Sequence, residues 1–171
     1  LKYLLPAGTN VEALLKRIQK IAIESPVFDT ADLLQYTQTF TSAGVEISKT
    51  ERFLKAFSNV ALVTGTSTDK ANLAVRAITQ AFGKGKLMAE ELNQQLGEAM
   101  PAVLQLLREE LGVTQPELNK LVKEGKITGE DLIAIFTRIG ESEKFLKGAA
   151  AGAQTLSGVW QQLKEQVQTQ L

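Results

Sequence analysis

Two residue types are missing altogether from this 171-residue chain, cysteine and histidine. Without cysteine there is no disulfide, no thiolate nucleophile and no zinc–thiolate site. Without histidine the commonest general base and transition-metal ligand is gone. What remains of the usual catalytic repertoire is carboxylate chemistry. Net charge is missing too, since 19 Lys and Arg balance 19 Asp and Glu. A neutral chain exerts no broad attraction on nucleic acid or an anionic membrane. Nothing approaches the roughly 20 consecutive apolar residues that cross a bilayer. The opening LKYLLPAGTN is too short for a signal peptide and lacks a small-residue cleavage pattern. The first residue is Leu1 rather than Met, and the chain is expected to be a piece of a longer one.

What is present is a helical rhythm. About 44% of residues are hydrophobic, enough for one compact domain or two small ones. Val11, Leu14, Leu15, Ile18, Ile21 and Ala22 recur on one helical face, with Thr9 and Glu12 reading as a capping box and Pro26 as the stop. Asp29 opens a second helix with Leu33, Leu34, Thr37 and Phe40, closed by Gly44. Ser48 and Glu51 read as the cap of a third, carrying Phe53, Leu54, Phe57, Val60 and Ala61. After the turn TGTSTDKAN, Ser67 or Thr68 starts a fourth helix through Leu73, Ala77, Ile78 and Phe82. Further helices are expected from about Ala89, Pro101, Thr114 and Thr128, and a last one over Gln154–Leu171. The small-residue stretch LKGAAAGAQTLSG before it reads as a hinge or a tight helix–helix contact. No segment sustains a period-2 pattern, so no major sheet is expected.

One motif repeats. GKLMAEEL (Gly85–Leu92) and GKITGEDL (Gly125–Leu132) share Gly-Lys-apolar-x-x-acid-acid-Leu, offset by 40 residues. Two copies do not make a solenoid. Each glycine is expected to end a helix in the left-handed conformation. Leu87 or Ile127 then staples the start of the next helix, whose first turn carries acids. A phosphate loop is disfavoured, because AVRAITQAF before the first copy is helical, and a second glycine at the required spacing and a Ser or Thr after the lysine are both missing.

Three constellations bear on function. The acids Glu90, Glu91, Glu98, Glu109 and Glu110 read as a solvated helix face, because buried acids are rare. LLREELGVTQPELNKLVKEGKI has the outline of a helix–turn–helix over Leu104–Lys123. Leu107, Val113, Leu118 and Leu121 would pack, Gly112 would turn, and Gln115, Asn119, Lys120 and Lys123 would face DNA. Arg108 occupies the crossing position where a small residue is usual, and Glu109, Glu110, Glu117 and Glu124 offset the lysines, so a packing corner is favoured. The apolar stripe Leu156, Val159, Trp160, Leu163 and Val167 reads either as core or as a partner-helix surface. No residue set points to a catalytic centre, a metal or a cofactor.

Read as a whole, QAFGKGKLMAEELNQQLGEAMPAVLQLLREELGVTQPELNKLVKEGKITGEDLI resembles the tape measure domain near the N-terminal part of phage and prophage tail length tape measure proteins. The positions that carry the resemblance are Gln80, Lys84, Gly85, Lys86, Glu91, Leu92, Gln95, Leu96, Pro101, Leu111, Gly112, Val113, Thr114, Gly125, Lys126 and Ile127. Upstream, SPVFDTADLLQYTQTFTSAGVE is similar to that family's Phe-rich helix ending in a glycine turn. Downstream, QTLSGVWQQLKE is similar to its Thr-x-x-Gly-x-Trp stretch. The resemblance covers about 140 residues, counted from those segments.

The resemblance implies a virion structural protein and not an enzyme. It implies a part in setting tail length and organising tail tube assembly, in the tail lumen of the virion and, during assembly, in the host cytoplasm. The partners it implies are the tail tube protein, tail assembly chaperones, tail tip proteins and other copies of itself, with no specific nucleic-acid binding and no membrane segment. The alternative function is a helix–turn–helix DNA-binding domain. The expected fold is all-α, a compact orthogonal domain of about eight to ten short helices. Residues 1–150 are expected to form the globular part. Residues 151–171 are expected to form an amphipathic helix leading into the rest of a longer chain.

Overall fold

In the computed structural model the described residues are 5, 7–24 and 27–169, without the side chains at 156, 157, 161, 162, 168 and 169. The expected stop at Pro26 and the Leu156 member of the terminal stripe lie outside the described residues and side chains. Among the described residues the fold is all-α, with nine helical segments and no strand. They are α1 (Val11–Glu24), α2 (Thr30–Ser42), α3 (Ile47–Val63), α4 (Thr68–Lys84), a π-helix (Glu91–Gly97), α5 (Pro101–Leu111), α6 (Gln115–Lys123), α7 (Gly129–Glu141) and α8 (Glu143–Thr169).

Most helix starts follow the capping logic of the sequence. Asp29 accepts from the Asp32 amide at 2.7 Å, Ser67 caps α4, and Thr114 and Thr128 head complete capping boxes with Glu117 and Asp131. Two starts differ. Asn10, not Thr9, caps α1, its Oδ1 taking the Ala13 amide at 3.0 Å. Ser48 lies inside α3, whose first residue is Ile47 and whose cap position, Glu46, makes no side-chain capping bond. Here the local cap signal loses to packing, since Val45 is already buried beneath the first turn.

The core is organised around α3. Its run Ala56–Ala61 is buried on every side, polar Ser58 and Asn59 included, because α2, α7 and α8 all pack against it. A helix enclosed in this way must satisfy its polar groups internally. Ser58 donates to the Leu54 carbonyl at 2.7 Å, and Asn59 donates from Nδ2 to the Gly140 carbonyl at 3.2 Å. Four phenylalanines, all fully buried, run in sequence across three helices. Phe40 of α2 meets Phe53 of α3 at 5.4 Å, Phe53 meets Phe57 at 5.6 Å, and Phe57 meets Phe136 of α7 at 5.4 Å. The two junctions between helices are edge-to-face, the arrangement the ring quadrupoles favour.

Small residues set the distances around this ladder. A β-carbon at Gly140 would stand 2.1 Å from the Ala56 carbonyl oxygen, so α7 and α3 touch backbone to backbone. On α8, a β-carbon at Gly148 would stand 2.8 Å from the Val63 side chain and one at Gly152 3.2 Å from the Leu62 side chain. The small-residue stretch is therefore a tight contact and not a hinge. For the same reason the last helix does not start at Gln154: it begins at Glu143, with only Ser142 between it and the end of α7, and runs through the stretch.

On the opposite flank, Tyr36 of α2 donates its hydroxyl to Asn72 Oδ1 of α4, and Phe28 stands edge-on to the Tyr36 ring. Burial, helped by the nearby Asp32 carboxylate, pushes the phenol up to about 12. Between pH 10 and about 12 the unfolded phenol loses its proton while the folded one keeps it. Stability from this group is therefore complete below pH 10 and declines as pH rises through that window. Tyr36→Phe should remove this decline, seen as a smaller alkaline fall in the urea midpoint, at a cost of about 1 kcal/mol at neutral pH for the lost hydrogen bond. Gly140→Ala should destabilise by about 2 kcal/mol or more in urea unfolding, despite alanine's better helix propensity, because a backbone atom stands in the way.

Candidate functional site

The motif residues gather where two helix ends meet. α4 ends at Gly85 and α6 is followed by Gly125, both left-handed (φ +76° and +70°), a conformation open to glycine at little cost. Each turn then buries its apolar residue, Leu87 and Ile127 respectively. The two repeats are joined directly, the Leu87 amide donating to the Ile127 carbonyl at 2.7 Å. The Lys86 stem lies over Gly125, its Cδ 3.1 Å from where a β-carbon would sit, and Gly129 abuts the Phe82 backbone. The paired turns thus fasten the end of α4 to the start of α7. The glycine–lysine run is helix punctuation, with Gly83 inside α4 and Gly85 at its cap.

Glu91 overturns one expectation. It is not on a solvated face: it is completely buried. Its carboxylate takes the Lys84 ammonium and, through its other oxygen, the Met88 amide at 2.9 Å. Lys84 remains half-exposed, and its hydrogen bond to Glu91 raises its ammonium above the usual lysine range. The sequence signal missed was Lys84 seven residues earlier, brought back over Glu91 by the Gly85 turn. Beyond Glu91 the chain takes the wider π-helical winding, with Leu92 and Leu96 buried and Gln95 at the edge. Such windings are rare and frequent at functional sites. Met100 then ends the segment, and Pro101 occupies the first turn of α5. Gln80 lies on the exposed face of α4. Of the other acids, Glu90, Glu98 and Glu109 are exposed as expected, and Glu110 pairs with Arg138.

The corner between α5 and α6 has the expected helix–turn–helix outline, with Leu107 and Leu118 buried, Leu121 partly so, and the Val113 amide returning to the Arg108 carbonyl at 3.0 Å around Gly112. Its chemistry does not favour DNA. Gln115 and Asn119, which would read bases, are bonded to each other at 3.0 Å. A hydrogen bond from the Thr114 amide holds Glu117 below the usual carboxylate range, and one from Lys126 does the same for Glu124. These ionised acids offset Lys120 and Lys123 at close range.

Two surface features remain. A groove with a cavity volume of about 460 Å³ has Val45, Phe82 and Ile133 among its walls and Lys49, Arg52 and Arg138 on its rim. The rim cations are already paired, Arg52 with both carboxylate oxygens of Glu141 and Lys49 with Glu130. The other feature is the far half of α8. Val159, Trp160, Leu163 and Val167 are 48–62% exposed. Among the described residues no group of His, Cys, Asp and Glu is arranged to hold a metal ion.

Comparison with known proteins agrees with the family resemblance. The family model described as "Tape measure protein" matches residues 1–171, the whole chain. A curated relative, the "Probable tape measure protein" of Salmonella phage Felix O1 (isolate Felix O1-VT1), is 32% identical over 114 residues, 66% of this chain. That alignment spans only 15% of the relative's own length. No solved structure matches the chain.

The buried ion pair makes an asymmetric prediction. Glu91→Gln keeps an acceptor for the Met88 amide and releases Lys84 to water, and should cost about 1 kcal/mol. Lys84→Ala strands the buried carboxylate with a single amide donor and should lower the urea midpoint further. Equal midpoints, or the reverse order, would show that the pair does not hold the π-helix in place.

Proposed function

The chain belongs to the tape measure protein family, and from that premise we propose that it is a structural, non-catalytic module of a phage tail tape measure protein. In this reading it helps organise tail tube assembly and set tail length as one folded body within a longer chain, alongside but separate from the extended ruler. The observation that carries the reading is the family match over all 171 residues. The structure adds a physical reason for treating the module as folded in its own right. Gly85, Gly112 and Gly125 turn the chain at helix ends, and Leu92, Leu96 and Ile127 sit in a single core. The proposed partners are the tail tube protein, tail assembly chaperones, tail tip proteins and further copies. The proposed locations are the tail lumen and, before that, the host cytoplasm. DNA binding is not part of the reading.

Deleting this segment in frame from a phage tape measure gene separates a folded module from a ruler. A helical ruler segment contributes about 1.5 Å per residue, roughly 260 Å for this length. A folded body of the same length has a radius of gyration of only about 16 Å. Electron microscopy of the deletion phage should show few or irregular tails. Uniform tails shortened by roughly 260 Å would make the segment part of the ruler, and tails of normal number and length would remove any assembly role.

A further inference from the structure

α4 meets α2 along a seam that stays open at the surface. Two hollows lie in it end to end, of about 410 Å³ and about 260 Å³, and Asp32 is a wall of both. The first is apolar at its base, with Val27 and Phe28 buried and Ile23 standing 79% exposed on its lip. Thr68, the first residue of α4, is part of its wall. The second is polar, walled by Gln35, Tyr36, Asn72, Arg76 and Gln80 among others. The chemistry therefore changes in order along α4. It is apolar beside Thr68, acidic beside Asn72, where Asp32 stands, and basic at Arg76.

Much of the hydrogen-bonding capacity of this seam is unspent. Tyr36 donates to Asn72 Oδ1, and Asn72 in turn donates to Asp32 Oδ2 at 3.5 Å. That chain holds the Asp32 carboxylate at the junction of the hollows and occupies one of its oxygens. Arg17, Arg52 and Arg138 are each paired with a glutamate. Arg76 has no such partner among the described residues, and neither do the side-chain amides of Gln35 and Gln80. Burial and the Asp32 carboxylate raise the Tyr36 phenol while Arg76 opposes them, so the unpaired guanidinium stands close to the polar hollow.

The spacing suits one kind of occupant. Thr68, Asn72 and Arg76 follow one another at intervals of four residues, about 6 Å each along a helix. Alternate residues of an extended peptide point the same way and recur at about 6.6 Å. Three alternate side chains of such a segment therefore meet the three zones in turn. The complementary order is apolar, basic, acidic, the last offering Arg76 a carboxylate that its planar fork can grip with two bonds. Gln35 and Gln80 can each donate and accept, as an extended main chain requires. Nucleic acid and an anionic lipid surface do not fit, since Asp29 and Asp32 outnumber Arg76 along the seam.

We propose that the seam between α2 and α4 is a docking site for an extended segment of a partner protein, one that carries an apolar, a basic and an acidic side chain at alternate positions. The apolar residue sits over Val27 and Phe28, the basic one at Asp32 and the acidic one on Arg76. The proposal goes beyond the assembly reading above, because the recognition chemistry holds whichever protein carries the segment.

The probe is the acetylated and amidated peptide Leu-Ser-Lys-Ser-Glu, titrated into the isotope-labelled chain and followed by nuclear magnetic resonance. Its dissociation constant should lie below about 1 mM, with shifts concentrated on α2 and on α4 from Thr68 to Gln80. Leu-Ser-Lys-Glu-Ser, which turns the acid to the opposite face, should bind more weakly by about fivefold or more. Arg76→Glu, at an exposed position, should keep the thermal midpoint, lose the first peptide and gain Leu-Ser-Lys-Ser-Lys. An unfolded variant cannot give that exchange of preference. Lys49→Gln, on the groove beside Val45, should leave binding unchanged. Absence of binding, equal affinity for the two spacings, or shifts centred on the Val45 groove or on α8 each overturns the proposal. These readings use purified chain and synthetic peptide. Their failure leaves the tail assembly role standing, and normal tails from the deletion phage leave the peptide site standing.

Discussion

The contact on which the rest depends is the backbone-to-backbone approach of α7 to α3 at Gly140 and Ala56. It brings Phe136 edge-on to Phe57 and lets Asn59 reach the Gly140 carbonyl. The ladder from Phe40 to Phe136 then ties α2, α3 and α7 into one apolar body. Rings in this arrangement combine large buried area with a directional preference, so they fix the relative rotation of helices as well as their separation. The enclosure of α3 follows. Once α7 occupies one side and the glycines of α8 another, even Ser58 and Asn59 must find partners within the protein.

The second organising feature is the junction of the two glycine–lysine turns. Either turn alone is ordinary punctuation, a left-handed glycine followed by a buried aliphatic residue. Paired through the Leu87 amide and the Ile127 carbonyl, they bind the end of α4 to the start of α7, 40 residues apart in the chain. Lys84 and Glu91 close the same region from the other side, on the entry to the π-helix. The two glycine–lysine turns thus form a joint between helix ends.

α8 connects the two themes. Its small residues belong to the core and its large apolar residues lie outside it. An ordinary terminal helix of a closed domain would have its tryptophan inward. Here the inward positions are glycine and alanine, as close packing on α3 requires, and Trp160 stands 62% exposed.

The sequence by itself determined the helical class, the order of the helices and most of their ends, because periodicity and caps are local. Asp29, Ser67, Thr114, Thr128 and the turn glycines act on neighbours three or four residues away, and they acted as expected. The motif string also identified the family. Tertiary structure decided what depends on distant partners. Burial of Glu91 required Lys84 to fold back over the Gly85 turn, which no adjacent-residue rule registers. The start of α3 at Ile47 and the unbroken run of α8 from Glu143 were settled by packing, which overrode a plausible cap at Ser48 and a plausible hinge among the small residues. In a flexible chain those glycines would loosen the helix. Pressed against Val63 and Leu62, they are what allows it to continue.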